Sequence, residues 1–577
     1  MNSNSGSNSG NILDESNMRV FTNQSGEKNL QLLGEKEKWI TFYSHRDISR
    51  ELRFFSRNVD IPENHIIVLL GLGLGYHLKE ILKKTSLPVI IVEVDEEVAK
   101  AALLIDGVAD VLNGPQTHSV VGMGAEGSLK EISRIQLRHG LKDIFVVKHP
   151  PSIRSFPSFY HPIIARLEKA SRARIGSQLR YGKFEHERLN ILLINSQYLL
   201  MQEIVNASEA LGHHIKSIII ERKAEVARNE FVEKLLRVLI EFKPDFVLTT
   251  NHLGFDREGI LTDLLTTLEI PFASWYVDSP MLIIKHYERN ISPYCAIFLW
   301  DEDYISDIRA LGFDNIHYLP LATDTHIFRP VAKRKNPLSS QANQISFVGN
   351  SMVNKVRQKL DRMKIPVEYE GMVEEIGRAF ADSTFRNVSE ILDKRPYSEH
   401  TFINEMHDGK RIDFEALIMW QATLIHRLRN VEMLAPFGAV IRGDQGWHTL
   451  LNGSYQIGPE LSYYSDLSFF YNVSEINFNV TSTQMRNAIN QRVFDVPASG
   501  RFLLTDYKGQ LEELFAIGDE IICYREKEEI PELVKFYLDH DTLRRKIAER
   551  GRRRVLNEHL YSHRVKEMCD YMKKHFA

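Results

Sequence analysis

The chain has 577 residues and a formal net charge of −4, with 43% hydrophobic and 26% charged residues. This balance is typical of a soluble globular protein, and a chain of this length is expected to form about three or four domains. The small acidic surplus gives no support for nucleic-acid binding, which usually needs a basic surface.

Cysteine content, hydropathy and the N-terminal composition bear on where the protein works. The three cysteines are far apart and have no metal-ligand spacing, which is typical of a reducing cytoplasm. No apolar run reaches ~18 residues, so no membrane-spanning helix is predicted. The N-terminal stretch is rich in Ser, Asn and Gly and lacks the regions of a signal peptide, so residues 1–35 are predicted to be a flexible tail.

Beyond this tail, apolar β-branched runs alternate with amphipathic helical stretches, which is the pattern of parallel α/β sheets. Residues 36–180 are predicted to form a Rossmann-like domain that ends in a connector helix. Residues 188–340 are predicted to form a doubly wound domain. Residues 341–577 are predicted to form a further α/β domain with a helical insertion at residues 353–435.

The first block contains a glycine-rich turn. Gly71, Gly73 and Gly75 lie between a predicted strand, HIIVLL, and a predicted helix, and Glu93 ends the next strand. This order is that of a dinucleotide or S-adenosylmethionine site, in which glycines admit the ligand and the acid binds ribose hydroxyls. The alternative is a tight turn between a strand and a helix, without a ligand.

In the second block, polar residues follow two predicted strands at the sheet edge where α/β folds bind ligands. Asn251, His252 and Asp256 follow DFVLTT, and Asp278 follows PFASWYV. His252 and Asp278 are candidate general bases toward an acceptor hydroxyl, and Asn251 and Asp256 are candidate acceptor ligands. The alternatives are a structural histidine and side chains that cap helices.

Two further segments lie near the boundary with the third block. Asp301 and Asp303 form a D-x-D pattern that could hold a metal-bound diphosphate, but they begin an amphipathic helix, where the dipole favours acids. The helix start is the favoured interpretation, and no metal site is predicted. Gly349 and Asn350 follow a strand, NQISFV, so backbone N–H groups there are predicted to bind phosphate oxygens.

The segment QRVFDVPASGRFLLTD places an acid among bulky apolar residues. A helix over MRNAINQRVFDVPAS would bring Asn487, either Asn490 or Gln491, and Asp495 onto one face, and Arg492 would lie within reach of a diphosphate. The alternative is an ordinary helix end.

The residues that follow are predicted to complete a donor site at the same sheet edge. Gly500 turns the chain into the strand RFLLT, which then starts close to the ligand. Thr505 and Asp506 emerge where this strand ends, and both are candidate donor ligands.

These motifs carry a family resemblance. The segments KPDFVLTTNHLGFD, PFASWYVDSP, YLPLATDTHIFRP and QRVFDVPASGRFLLTD resemble CgeB-like (spore-maturation-type) glycosyltransferases over residues 190–577. The resemblance implies a GT-B architecture, with two Rossmann-like domains facing a cleft. The C-terminal domain would bind a sugar nucleotide and the N-terminal domain the acceptor. Asp495 matches the second acid of an E-x7-E pattern, which contacts the donor ribose, whereas Asn487 replaces the first acid and leaves retention or inversion open.

A shorter segment, residues 38–100, resembles the Rossmann-like part of motility-associated (flagellin-modifying) glycosyltransferases. This second resemblance implies a protein acceptor, such as flagellin, or a surface glycan.

The leading hypothesis is a metal-independent cytoplasmic glycosyltransferase that needs no cofactor. Its co-substrate would be a UDP-, GDP-, dTDP- or CMP-linked sugar, and Asp278 or His252 would deprotonate or orient the acceptor hydroxyl. One alternative is an S-adenosylmethionine-dependent methyltransferase at the N-terminal glycine turn. Another is a non-catalytic scaffold of Rossmann-like units.

Overall fold

The computed structural model describes residues 13–15, 17–140, 142–172, 181–197, 200–220, 229–394 and 396–577. These residues divide into two compact units. The first comprises the described residues up to 181 together with those of 227–241 and 260–269. The second comprises the other described residues up to the C-terminus.

The first unit begins with an antiparallel sheet. Its strands pair in the order β1 to β4 and span Leu13–Glu15, Met18–Thr22, Lys28–Leu33 and Trp39–Thr41. Met18, Val20, Leu30 and Leu32 alternate with more exposed residues and are buried, so one face of the sheet packs into a core. The prediction of a flexible tail up to residue 35 is therefore wrong for these strands, because a two-residue hydrophobic period follows the polar N-terminal run.

A parallel sheet follows in the same unit. It contains β5 (His65–Leu70), β6 (Val89–Glu93), β7 (Thr117–Val121) and β8 (Asp143–Lys148), in the order β7-β6-β5-β8. This is the 3-2-1-4 order of a Rossmann-like sheet. The helices of this part of the unit are Ile48–Asn58, Tyr76–Lys84, Glu96–Ala102, Val108–Leu112, Ala125–Arg138, Pro150–Ser155 and Pro157–Arg172.

The second unit contains two six-stranded parallel sheets. The first runs in the order β10-β9-β11-β12-β13-β14. Its strands are β9 (Asn190–Asn195), β10 (His214–Ile219), β11 (Phe246–Thr250), β12 (Phe272–Tyr276), β13 (Cys295–Leu299) and β14 (Asn315–Tyr318). β11, β12 and β13 are fully buried, which explains their continuous apolar sequences.

The second sheet of this unit has the order β17-β16-β15-β18-β19-β20, the 3-2-1-4-5-6 order of dinucleotide-binding folds. Its strands are β15 (Asn343–Val348), β16 (Val440–Arg442), β17 (Gln456–Gly458), β18 (Ser474–Asn479), β19 (Phe502–Asp506) and β20 (Ile522–Tyr524). The predicted α/β class is confirmed: this unit contains two Rossmann-like parallel sheets, and a further Rossmann-like sheet precedes them in sequence.

A group of helices is inserted between β15 and β16. It comprises Val353–Met363, Glu370–Ala381, Val388–Leu392, Thr401–Asn404 and Asp408–Val431. These helices share a hydrophobic core of their own, which includes Ile376, Phe380, Phe414 and Ile418. The sheet has a separate core around Phe347, Trp447 and Phe478. The last inserted helix therefore links a helical layer to the sheet.

Shorter and C-terminal helices complete the description. They are Met201–Ala210, Asn229–Phe242, Ile260–Thr267, Met281–Ile284, Ile305–Ala310, Trp447–Leu450, Leu467–Tyr471, Arg492–Ala498, Gln510–Leu514, Ile530–Asp539, Asp541–Glu558 and Tyr561–Phe576. None of the described helices combines the length and the hydropathy that a membrane-spanning segment requires.

Candidate functional site

The candidate site lies in the sheet formed by β15 to β20, at the point where the strand order reverses. β15 and β18 are neighbours, and the chain leaves them in opposite directions across the sheet. In open parallel sheets, ligands bind in the crevice at the carboxyl ends of such a strand pair. The site is therefore formed by the residues after β15, β16, β18 and β19, together with the inserted helix that ends near them.

The turn after β15 is already hydrogen-bonded within the protein. The Gly349 N–H donates to the Arg442 carbonyl at 2.9 Å, and Trp447 Nε1 donates to the Gly349 carbonyl at 2.7 Å. Asn350 Nδ2 donates to Glu460 Oε1 at 3.1 Å. The prediction that the Gly349 N–H is free to bind a phosphate is therefore wrong, since the neighbouring strand uses that donor.

Two arginines supply the positive charge at this edge. Arg427 lies near the end of Asp408–Val431, and Arg492 begins the helix Arg492–Ala498. Arg427 is buried and donates through Nη1 to the Asn350 carbonyl at 2.7 Å. The pKa of Arg427 is lowered to about 9, first by burial and then by the positive charge of Arg492. Among the described residues, the buried Nε atoms of both arginines have no hydrogen-bond partner.

Placing the charges of Arg427 and Arg492 close together costs free energy when no anion is bound. Burial of a guanidinium sacrifices hydration, and a second cation nearby adds repulsion. A cation in the first turn of a helix, as at Arg492, also opposes the helix dipole. The arrangement is therefore suited to a multiply charged anion such as a diphosphate, which forms strong charge-assisted hydrogen bonds with guanidinium groups.

Asp506, at the end of β19, is an acid that lies close to the cations Lys508 and Arg427. Its Oδ1 accepts hydrogen bonds from the Thr481 N–H at 3.0 Å and the Thr481 hydroxyl at 2.8 Å. Lys508 Nζ lies 3.5 Å and His426 Nε2 3.8 Å from Oδ2. Burial alone would raise the pKa of Asp506, but Lys508, His426 and the Thr481 bond outweigh it and hold the pKa well below its usual range. Asp506 is thus an ionised anchor for neighbouring cations.

Asp495 has a different environment from the one predicted. It is fully buried, and its carboxylate accepts hydrogen bonds from the Thr323 hydroxyl at 2.6 Å and the Tyr463 hydroxyl at 3.3 Å. Burial raises the pKa of Asp495 well above its usual range. Thr323 also exchanges backbone hydrogen bonds with His559 and Tyr561. Asp495 therefore joins its helix to the segment between the two sheets, and both of its oxygens have protein donors.

The helix that carries Asp495 is shorter than predicted. It spans only Arg492–Ala498, so Asn487 and Asn490 lie in the preceding loop and not on its face. Asn490 Nδ2 donates instead to Asn479 Oδ1 at 3.1 Å. The prediction of a shared helical face is wrong for these two residues, because Asn479 and Gln510 bind the loop through side chains and fix its path.

The two other predicted donor residues serve the packing of β19. Thr505 is fully buried and its hydroxyl accepts from Asn479 Nδ2 at 2.9 Å. Gly500 has a φ of 70° and ends the helix, where an added Cβ would lie 3.2 Å from Pro330. This turn precedes β19, so Gly500 lies at the amino end of the strand, away from the carboxyl edge that carries the arginines.

At the first sheet of this unit, the structure brings Asn251 and Asp278 together. Asn251 Nδ2 donates to Asp278 Oδ2 at 2.8 Å, and Asn251 Oδ1 accepts from the Val277 N–H at 2.9 Å. Asp278 follows β12 and remains partly exposed. Asp256 is buried, and its carbonyl accepts from Asn290 Nδ2. Asp278 is thus a partly exposed carboxylate at this edge.

His252 is not placed for proton transfer to a substrate. Its side chain is fully buried beside Phe255, Tyr276 and Tyr287, and Nδ1 lies 3.0 Å from the Tyr276 hydroxyl. Burial lowers the pKa of His252 to about 3, so the ring is neutral at physiological pH. The prediction of His252 as a general base is corrected for this reason, and a structural role fits its surroundings.

Hydrogen bonds join the carboxyl edges of the two sheets. Gln510 Nε2 donates to the Trp300 carbonyl at 2.8 Å, and the Tyr304 hydroxyl donates to the Gln484 carbonyl at 3.2 Å. Asp301 accepts from the Ala488 N–H at 3.3 Å and also caps the short helix that follows, through the Asp303 N–H. The D-x-D residues therefore begin a helix, as the sequence favoured, and Asp301 holds the loop that leads to Arg492.

The glycine turn of the first unit is filled by the protein's own side chains. An added Cβ on Gly71 would lie 2.4 Å from Ser152 Cβ, and one on Gly73 would lie 2.4 Å from the Tyr43 hydroxyl. That hydroxyl accepts the Leu74 N–H at 2.9 Å. Gly75 faces Val108 in the same way. The glycines thus permit close packing of protein groups at the place where a nucleotide was predicted.

The carboxylate of Glu93 is also hydrogen-bonded to groups of the protein itself. One oxygen of its fully buried carboxylate accepts the Leu72 N–H at 2.9 Å and the Gly73 N–H at 3.4 Å, while the other lies near the Asp95 N–H and the Tyr160 hydroxyl. Burial raises the pKa of Glu93 to about 7. The predicted nucleotide site at these residues is therefore corrected, because the acid binds the turn itself and ribose hydroxyls would find no free acceptor.

Sequence reasoning missed Arg427, His426 and Lys508. Arg427 lies in a helix that also carries Arg429, which forms an ion pair with Asp382 and is partly exposed. No local pattern distinguishes the two arginines. Only the pairing of a long inserted helix with the edge of a distant strand brings Arg427 to the site.

The comparison with protein families concerns the sheet that contains the candidate site. Residues 421–570 match a family model described as "Glycosyl transferase-like". This stretch contains Arg427, Arg492 and Asp506. A comparison with curated proteins found no match.

Similar solved structures include a sucrose-phosphate synthase from Thermosynechococcus elongatus, at 10% identity over 66% of this chain and 98% of that chain, with a TM-score of 0.42. A glycosyltransferase from Rickettsia africae has 11% identity over 68% and 99%, with a TM-score of 0.41. HepE of Anabaena in complex with UDP-glucose has 10% identity over 66% and 100%, with a TM-score of 0.40. Similarity at this level does not transfer ligands or residue roles to this chain.

The glycine turn gives a direct test of the packing account. Gly73→Ala is expected to lower the free energy of unfolding of the first unit by roughly 2–4 kcal/mol, since the positive φ of 54° and the clash with buried Tyr43 add together. Chemical denaturation followed by circular dichroism measures this change. Gly127→Ala is the matched control, because Gly127 lies in a helix and its nearest contact would be at 3.7 Å. Equal stability of the two variants would contradict the account.

Proposed function

We propose that this protein is a glycosyltransferase that uses a nucleotide-activated sugar. The observation that carries the proposal is the pair of arginines, Arg427 and Arg492, at the switch point of a Rossmann-like sheet, with buried Nε donors that have no partner in the described part of the chain. The match of residues 421–570 to a glycosyltransferase-like family model supports it, since the same stretch supplies both arginines.

The arginines would bind the diphosphate of the donor. Transfer of the sugar leaves negative charge on the diphosphate, and guanidinium groups already oriented toward it stabilise the transition state without reorganisation. Asp506 keeps this region ordered by balancing Lys508 and Arg427. The proposed reaction needs no metal, since fixed cations perform the task that a divalent ion performs in other transferases.

The acceptor would approach from the first sheet of the second unit. Asp278 is the proposed base, because it is a partly exposed carboxylate at that edge and Asn251 orients it through a 2.8 Å hydrogen bond. Asn251 would act as a positioning residue. Hydrogen bonds between the carboxyl edges, such as Gln510 to Trp300, support a closed arrangement that limits donor hydrolysis.

The finer points of the proposal rest on the sequence resemblances. A CgeB-like enzyme that acts in the cytoplasm on a protein, with flagellin as one possibility, or on a surface glycan would fit the motifs in both parts of the chain. Asp495 would position the donor helix through Thr323 and not bind ribose directly.

Neutralisation of the arginines tests the donor site. Arg427→Gln and Arg492→Gln are each expected to weaken binding of UDP, or of whichever of GDP, dTDP or CMP binds best, by about 10- to 100-fold, since each removes a charge-assisted hydrogen bond. Isothermal titration calorimetry on the full chain measures this loss. Arg429→Gln is the matched control in the same helix, because its partner is Asp382. Unchanged affinity in both test variants would remove the arginines from the site.

The role of Asp278 is tested separately. Asp278→Asn is expected to lower kcat by at least about 100-fold and to leave nucleotide affinity unchanged, because the amide keeps the hydrogen bond to Asn251 but cannot accept a proton. Steady-state kinetics with the best donor of a nucleotide-sugar panel, together with calorimetry, separates the two quantities. A variant with full kcat would exclude Asp278 as the base.

A further inference from the structure

A second concave site lies at the opposite edge of the sheet from the arginine pair. It is a cavity of about 640 Å³ lined by residues between 326 and 335 and by Tyr464, Ser465, Ser468 and Phe469. The helix Leu467–Tyr471 directly precedes β18, so this cavity lies at the amino ends of the strands. Its volume is within the range of about 300–1,000 Å³ that is usual for small-molecule pockets.

The walls of this cavity are held by side-chain hydrogen bonds. Asn472 binds the linker twice: its Oδ1 accepts the Val331 N–H at 3.0 Å, and its Nδ2 donates to the Arg329 carbonyl at 3.0 Å. Asn336 Nδ2 donates to the Phe469 carbonyl at 2.8 Å. The linker and the helix are thereby fixed against each other, so the concave shape is built into the fold.

Three cationic side chains line the cavity. Arg329, Arg334 and Lys335 line it and are exposed, and the structure gives them no ion pair or side-chain hydrogen bond within the described part of the chain. No Asp or Glu is among the described residues that line the cavity. Ser468, which is 8% exposed, also lines it, and its hydroxyl has no partner among the described residues. Elsewhere on the chain, many surface arginines pair with acids, as Arg550 does with Asp519.

We propose that this cavity binds a phosphorylated small molecule, at a site separate from the candidate donor site. Arg329 and Arg334 would form charge-assisted hydrogen bonds with the phosphate oxygens, and Lys335 would add a point charge. Tyr464 and Phe469 supply an apolar wall for the organic part of the ligand. A concave surface lined with one sign of charge concentrates anions, which is the reason for favouring a multiply charged phosphate over a neutral ligand.

The test uses inorganic pyrophosphate as the probe and calorimetry on the full chain at constant ionic strength. Arg329→Gln combined with Arg334→Gln is expected to weaken pyrophosphate binding at one site by at least about tenfold and to leave UDP affinity unchanged. Arg309→Gln combined with Arg362→Gln is the control, since it removes the same charge from exposed, unpaired positions in the described part of the same unit. Equal pyrophosphate binding by both double variants would overturn the proposal.

Two further arms separate the sources of the phosphate and the two proposals. Sedimentation with phosphatidylcholine vesicles, with and without phosphatidylglycerol, asks whether a lipid headgroup supplies it. Binding that needs phosphatidylglycerol and both arginines assigns a lipid, and pyrophosphate binding without vesicle binding assigns a soluble ligand. Arg427→Gln should leave pyrophosphate binding at the cavity unchanged. The loss caused by Arg329→Gln combined with Arg334→Gln would therefore remain even if the donor proposal failed.

Discussion

The burial of positive charge at the carboxyl edge of the C-terminal sheet is the constraint on which the rest of the site depends. Burial, and then the positive charge of Arg492, lower the pKa of Arg427. Asp506 offsets part of this lowering because Thr481 and Lys508 keep its carboxylate ionised. Asp444, which accepts hydrogen bonds from Ser351, contributes on the other side of the switch point.

The elements around the arginines serve to hold them in place. The inserted helices have their own core, so the long helix that carries Arg427 is rigid before it reaches the sheet. Asp495 joins the helix of Arg492 to the segment between the sheets through Thr323 and Tyr463. A diphosphate would therefore meet donors whose positions are fixed by packing, which is the condition under which electrostatic stabilisation of a transition state is most effective.

The sequence allowed the α/β class, the Rossmann-like organisation and the segment of Arg492 to be predicted, because each depends on local periodicity or a local motif. The placement of Asn251 and Asp278 at the carboxyl ends of strands also followed, since each comes after an apolar run. Local periodicity and motifs did not predict which of the candidate side chains are buried. His252 follows a strand, which is where catalytic residues of α/β folds are often found. Aromatic side chains from other segments nevertheless enclose it. Likewise, Tyr43 and Ser152 fill the glycine turn from either side in sequence, and Arg427 reaches the site only through tertiary packing.

The central claim is that a nucleotide diphosphate binds between Arg427 and Arg492. The most direct test is a crystal structure of the full chain with UDP, or with whichever nucleotide of the panel binds best. The account predicts phosphate oxygens within hydrogen-bonding distance, roughly 2.7–3.2 Å, of both guanidinium groups. A nucleotide seated at Gly71–Gly75 beside Glu93, with no contact to either arginine, would contradict it.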